Sequence, residues 1–148
     1  FPNEEYQKRK TEQKRLIKVL DRPDLFFYDI DINHSEFLKA VKGYESEVEG
    51  GARCDECFRL RITETAKRAS LMDFEYFGTT LSVSPMKNSE IINEIGEEAG
   101  REFNVKWIPA NFKKKDGYLK SIQLSKKYNL YRQNYCGCEF SLRGGEDA

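Results

Sequence analysis

The sequence predicts an α/β protein, a Rossmann-like parallel sheet flanked by helices, in one domain over residues 1–148. Three observations lead there. Strand-like apolar runs alternate with segments whose apolar residues recur at helical spacing. A chain of 148 residues suits one domain, and a composition that is 39% hydrophobic, 13% aromatic and 34% charged can build a core and is too apolar for a disordered chain. No run approaches the ~18 to 20 apolar residues of a membrane span, and the opening Phe1-Pro2-Asn3-Glu4-Glu5 has neither region of a signal peptide, so a soluble, cytoplasmic protein with no membrane partner is expected. The chain lacks an initiator Met and opens as the first turn of a helix, so a preceding segment is expected.

Residues 2–20 read as a helix, with Pro2 at its first position, Glu4 and Glu5 in the first turn, a polar middle, and Leu16, Ile17 and Leu20 as its buried end. Asp24 to Ile32 is a strand candidate whose Leu25-Phe26-Phe27-Tyr28 run predicts burial on both faces. Asn33 and Ser35 can cap a helix carrying Phe37, Leu38, Val41 and Tyr44 on one face, and the lone His34 beside them reads as a cap or surface residue. After an acidic, Gly-rich loop, Phe58, Ile62, Ala66 and Ala69 predict a helix over about 55–71. Phe74 to Val83 is the next strand candidate, residues 89–103 the next helix, Val105 to Ala110 a short strand, and Asp116 a possible cap for a last helix reaching about Asn129.

In parallel sheets ligands sit beyond the carboxyl ends of the strands, here the loops Asp31–Ser35, Thr79–Asn88 and Ala110–Asp116. The middle loop joins hydroxyls, a helix start and Lys87, which suits an anion site and equally a capped strand end. Dinucleotide and nucleoside-triphosphate fingerprints are absent from the sequence.

The four cysteines fall into a C-x-x-C, Cys54 and Cys57, and a C-x-C, Cys136 and Cys138. Close pairs from distant parts of a chain are how Cys₄ sites are assembled, as tetrahedral zinc or as an iron–sulfur cluster. Spacing alone does not choose between these, and thioredoxin-like redox chemistry is a third reading; disulfides are the weakest in a reducing cytosol. Cys54 and Cys57 lie at a helix entry near Arg53, Arg59 and Arg61, which favours thiolates. The second pair follows Tyr131-Arg132-Gln133-Asn134-Tyr135, a polar and aromatic loop unsuited to a core.

The formal net charge of zero conceals polarity. Residues 106–132 hold seven lysines and Arg132 against Asp116 alone, so that stretch is +7 and the remainder −7. Trp107, Phe112, Tyr118, Tyr128 and Tyr131 are interleaved, the cation-and-aromatic mixture that grips phosphates and stacks on splayed bases. The alternative is a solvated helix face with core aromatics.

The stretch Tyr131-Arg132-Gln133-Asn134-Tyr135-Cys136-Gly137-Cys138-Glu139-Phe140-Ser141-Leu142, with Arg53-Cys54-Asp55-Glu56-Cys57, Gly78-Thr79-Thr80-Leu81 and Ala110-Asn111-Phe112-Lys113-Lys114, resembles the QueH-type epoxyqueuosine reductases over about residues 2–142. The resemblance implies a cobalamin-independent enzyme that removes the epoxide oxygen of epoxyqueuosine at the wobble position of tRNA, the last step in making queuosine. It implies a [4Fe–4S] cluster with scope for an additional iron ion, an external electron donor, and a fold related to the adenine-nucleotide α-hydrolases. Members of that family begin with a strand bearing a Cys-Cys motif, and such a segment, with further metal ligands, is expected ahead of Phe1.

On this reading Cys54, Cys57, Cys136 and Cys138 are metal ligands, and an open iron position would act as Lewis acid on the epoxide oxygen. Asp55 and Tyr135 are the acid candidates, or else hydrogen-bond partners of the thiolates. Lys87, Lys113, Lys114, Lys115 and Arg132 would hold anticodon-loop phosphates, with Tyr131 or Phe112 for stacking. The competing reading is a non-catalytic Cys₄ zinc module that binds RNA.

Overall fold

The computed structural model of the chain describes residues 1–30 and 33–142. It is mixed α/β, mostly helical, in two compact units: Phe1–Asp31 with Ser121–Ala148, and Ile32–Lys120. Among the described residues, no helix is long and apolar enough to cross a membrane.

The second unit is built on α2 (His34–Ala40), α3 (Ala52–Leu71), β1 (Tyr76–Phe77), α4 (Ser89–Phe103) and β2 (Lys106–Trp107). The two strands pair in parallel, Tyr76 opposite Lys106 and Phe77 opposite Trp107, with α4 as the crossover. Parallel neighbours need such a crossover, because a tight turn cannot return the chain to the same end of the sheet. The side-chain oxygen of Asn88 accepts from the amides of Glu90 and Ile91 and so starts α4. Ile92, Ile95 and Ala99 from α4 then bury against Phe58, Ile62, Ala66 and Ala69 from α3, with Phe77 and Val105 completing the core. Cys54 belongs to that same buried cluster. Trp107 lies so close on α4 that a Cβ at Gly96 would stand 2.2 Å from the indole. Only glycine permits this approach.

The helix-capping expectation at Asn33 is met, since its side chain accepts from Ser35 N–H; Phe37 and Val41 are buried, while Leu38 and Tyr44 stay exposed. His34 is exposed and stacks on Phe37. The expected strand over 74–83 contracts to Tyr76–Phe77, and Leu81–Val83 forms a 3-10 turn instead. The strand expected from Val105 to Ala110 likewise contracts to Lys106–Trp107.

The first unit contains α1 (Asn3–Leu20), and the division between units falls inside α5 (Gly117–Lys127). Leu16, Ile17 and Leu20 are only half-buried, and no residue of α1 is fully buried. Residues 24–30 are a correction. They form no strand, and Phe26 and Tyr28 are 71% and 57% exposed rather than buried on both faces. An apolar run becomes a strand only where a neighbour pairs its backbone, and among the described residues this one has none. Asp31 and Ile32, the end of that candidate and the start of the loop Asp31–Ser35, lie outside the described residues, as do residues 143–148 of the expected domain. Asp116 closes the 3-10 turn Lys114–Asp116 at φ 60° immediately before α5.

Candidate functional site

Cys54 and Cys57 sit one turn apart near the start of α3, whose N-cap is Gly51. The Gly50 amide donates to the Cys54 sulfur at 3.2 Å, and the Arg61 Nε donates to the Cys57 sulfur at 3.4 Å. Both sulfurs therefore accept a hydrogen bond, as metal-ligating sulfurs commonly do. Arg53, directly before Cys54, is buried, and its guanidinium donates to the carbonyls of Glu45 (3.2 Å) and Glu47, tying the acidic loop to the helix entry. Asp55 keeps one carboxylate oxygen, Oδ1, buried without a hydrogen-bond partner. Burial, with Glu56 beside it, pushes the Asp55 carboxyl up against the opposing pull of Arg59.

The second pair is held by α1. Arg9 donates from Nη1 to the Cys136 carbonyl at 2.9 Å and from Nη2 to the Tyr135 carbonyl at 3.3 Å, while its Nε pairs with Glu5 at 2.8 Å. The backbone nitrogen of Phe1 donates to the Gly137 carbonyl at 2.9 Å, and the Tyr135 hydroxyl donates to the Phe1 carbonyl at 2.8 Å. Gly137 adopts φ 113°, and a Cβ there would stand 2.5 Å from Arg9 Nη1. At the far side the Ser141 hydroxyl donates to the Cys138 carbonyl at 2.7 Å. The loop's carbonyls are thus occupied, while none of the four cysteines is joined in a disulfide.

Glu5 and Glu12 hold the segment leading into this loop. Tyr131 donates its amide to Glu12 at 2.8 Å and its hydroxyl to Glu5 at 3.0 Å, and Lys8 lies 3.6 Å over its ring. The Arg15 guanidinium, then the Tyr131 amide, draw the Glu12 carboxyl down to about 2. The Arg9 hydrogen bond lowers Glu5, and the Glu5 carboxylate in turn raises the Tyr131 phenol.

The expected RNA-binding residues divide by environment. Lys87 is only 7% exposed, pairs with Glu49 at 3.4 Å and lies 5.7 Å from the centre of the Phe58 ring. The Lys113 amine donates to the Lys87 carbonyl. Lys114 is exposed; the backbone of Lys115 lies in the 3-10 turn and its side chain is outside the described residues. Arg132 is exposed and donates to the Ser125 hydroxyl at 3.1 Å. Phe112 is 41% exposed and lines a cavity of about 440 Å³ with Thr79 and Thr80. The residues that sequence reasoning passed over are Glu5, Arg9 and Glu12. Their polar stretch of α1 reads as a solvated face, and the only signal was the density of charge at helical spacing.

The thiols present suit a thiophilic metal, because each pair offers two soft donors already relieved of competing covalent bonds. Among the described residues, no three His, Cys, Asp or Glu side chains form a ready ligand set.

The profile of the family described as epoxyqueuosine reductase QueH matches residues 1–144. The chain is 34% identical over 145 residues to the epoxyqueuosine reductase QueH of Streptococcus pyogenes serotype M1, covering 96% of this chain and 57% of that protein. It is 36% identical over 145 residues to that of Staphylococcus epidermidis, covering 95% and 61%, and 35% identical over 149 residues to that of Thermotoga maritima, covering 95% and 73%. The chain spans about three fifths of the length of the first two of these relatives.

Proposed function

The chain belongs to the epoxyqueuosine reductase QueH family, and from that membership we propose that it serves the reductive deoxygenation of epoxyqueuosine to queuosine at the wobble position of tRNA. The observation that carries this reading is the state of the two cysteine segments. One pair has sulfurs accepting hydrogen bonds at a helix entry, and the other sits in a loop whose carbonyls are fixed by Arg9.

Converting an epoxide to an alkene takes two electrons and two protons and releases water. The cysteine pairs are read here as metal ligands, and the two electrons come from an external donor. Cys54, Cys57, Cys136 and Cys138 are accordingly assigned as thiolate ligands of an iron–sulfur cluster, of the [4Fe–4S] type, with an additional iron as a further metal. A bound cluster supplies single electrons received from an external donor. The proton that leaves with oxygen comes from an acid beside the ligands. Tyr135 already donates its hydroxyl to Phe1, whereas Asp55 keeps an uncommitted carboxylate oxygen, so Asp55 takes that role.

Exposed Lys114 and Arg132 contact the anticodon-loop phosphates, with Lys113 and Lys115 beside Lys114 in sequence. Lys87, buried against Glu49, supports this cation-bearing loop from beneath through its carbonyl. The parallel β1–α4–β2 unit supports a Rossmann-like architecture of the adenine-nucleotide α-hydrolase kind.

The test is anaerobic incubation with tRNA bearing epoxyqueuosine and a low-potential reductant, followed by nucleoside digestion and mass spectrometry. The expected product has lost one oxygen atom. Unchanged epoxyqueuosine from a colourless protein containing zinc and no labile sulfide would support the non-catalytic RNA-binding module instead.

A further inference from the structure

Beyond the ends of the two parallel strands lies a groove of about 440 Å³ lined by Gly78, Thr79, Thr80, Ile108, Ala110 and Phe112. Gly78 directly follows β1 and Ile108 directly follows β2, and the Ile108 amide continues the ladder to the Phe77 carbonyl at 2.9 Å. The groove therefore occupies the position at which open parallel sheets bind ligands. Its volume falls in the ~300–1,000 Å³ range of small-molecule sites. One wall is fixed by a single side chain. Asn93 Oδ1 accepts from the Trp107 indole at 3.0 Å and from the Ala110 amide at 3.2 Å, while its Nδ2 donates to the Ala110 carbonyl at 3.4 Å.

We propose that this groove takes the base of the wobble nucleotide, with Phe112 as its stacking platform and the hydroxyls of Thr79 and Thr80 facing the base edge. The proposal rests on the tRNA reading above and deepens it by naming where the base goes. Two aromatic residues were open for stacking, and their surroundings separate them. Tyr131 has its hydroxyl on Glu5 and a ring face under Lys8, whereas Phe112 is exposed on the groove. Phe112 is followed by Lys113 and Lys114, which puts positive charge beside the platform for the phosphates that flank a splayed base. Apolar walls, hydroxyls and adjacent cations match a nucleotide better than a purely apolar or an anionic ligand. Gly78 leaves the floor open: a Cβ there would meet Ile108 Cβ at 3.5 Å, ordinary contact that the fold accepts while the groove narrows.

The experiment compares two labelled anticodon stem–loop RNAs, one with guanine at the wobble position and one abasic there, by fluorescence anisotropy. Trp107, the sole tryptophan, reports on the adjoining wall through its emission. The wild-type chain should bind the intact RNA roughly tenfold more tightly than the abasic one, the scale of one base stacked on an aromatic. Phe112→Ala and Gly78→Ala should each reduce the intact RNA to the abasic level without changing abasic binding, with thermal melting confirming that both variants fold. Equal wild-type affinity for the two RNAs, or a preference that survives both substitutions, overturns the groove assignment and leaves the tRNA reading standing. Binding of neither RNA overturns both.

Discussion

Arg9 donates to the carbonyl of Cys136 at 2.9 Å, joining residues 127 positions apart in the chain. The same guanidinium reaches Tyr135 and is aligned by Glu5, so one side chain fixes the approach to the C-x-C loop from two directions. Replacing Arg9 by Ala should cost about 1.5–3 kcal/mol, the range for hydrogen bonds to a charged group. Hydrogen exchange over residues 131–142 should accelerate. Arg9→Lys should fail to restore protection, because an ammonium cannot reproduce the planar fork that spans two carbonyls and a carboxylate. Unchanged exchange in Arg9→Ala would show that the loop holds itself.

Gly137 is the second constraint on that loop. Its φ of 113° disfavours any side chain, and a Cβ there would collide with Arg9. Gly137→Ala should lower stability by about 1–3 kcal/mol, the scale of a held backbone strain, read as a drop in melting temperature. The same substitution at Gly43, also at positive φ but with no atom within 4 Å of its Cβ, should cost less, separating strain from collision.

The acid limb of stability follows from Glu12. Its carboxyl lies at about 2 instead of the ordinary 4.5, held by Arg15 and the Tyr131 amide, so the folded state favours the ionised form. That contribution is complete above pH 4.5 and disappears as pH falls toward 2. Glu5, facing Arg9, Tyr131 and Lys8, is lowered as well and adds in the same direction. Glu12→Gln should flatten this part of the pH–stability curve, measured by near-ultraviolet circular dichroism. An unchanged slope between wild type and Glu12→Gln would contradict the assignment.

The βαβ unit was legible because its signals are local. Ile92, Ile95 and Ala99 keep one helical face, and Asn88 stands where a cap is needed, so α4 falls at residues 89–103 as expected. The helix bearing the first cysteines begins at Ala52, three residues before the expected start, because its N-cap Gly51 makes no side-chain hydrogen bond and leaves no capping signature. Residues 24–30 misled because a run of aromatics carries the composition of a buried strand whether or not a partner is present. The contacts of Arg9, Glu5 and Glu12 were illegible for a different reason. Each also makes a neighbouring ion pair along the helix, and nothing in the local pattern distinguishes that from the long-range bond to residues 131–136.

Asn93 gives a prediction within the second unit. It carries three hydrogen bonds to Trp107 and Ala110, and its removal leaves two donors and one acceptor without that partner. Asn93→Ala should destabilise by about 1–3 kcal/mol and shift Trp107 emission to longer wavelength as the indole meets water. Emission that stays at the wild-type wavelength would mean that Gly96 and Phe77 alone seat the indole.

The central proposal is that Cys54, Cys57, Cys136 and Cys138 are thiolate ligands of redox-active iron. Iron and acid-labile sulfide, measured per chain after anaerobic purification of the wild type and of Cys57→Ser and Cys136→Ser, test it most directly. The wild-type protein should be brown and contain both iron and sulfide, and either variant should lose both. Stoichiometric zinc without sulfide, or iron and sulfide retained in full when either pair is broken, would contradict it.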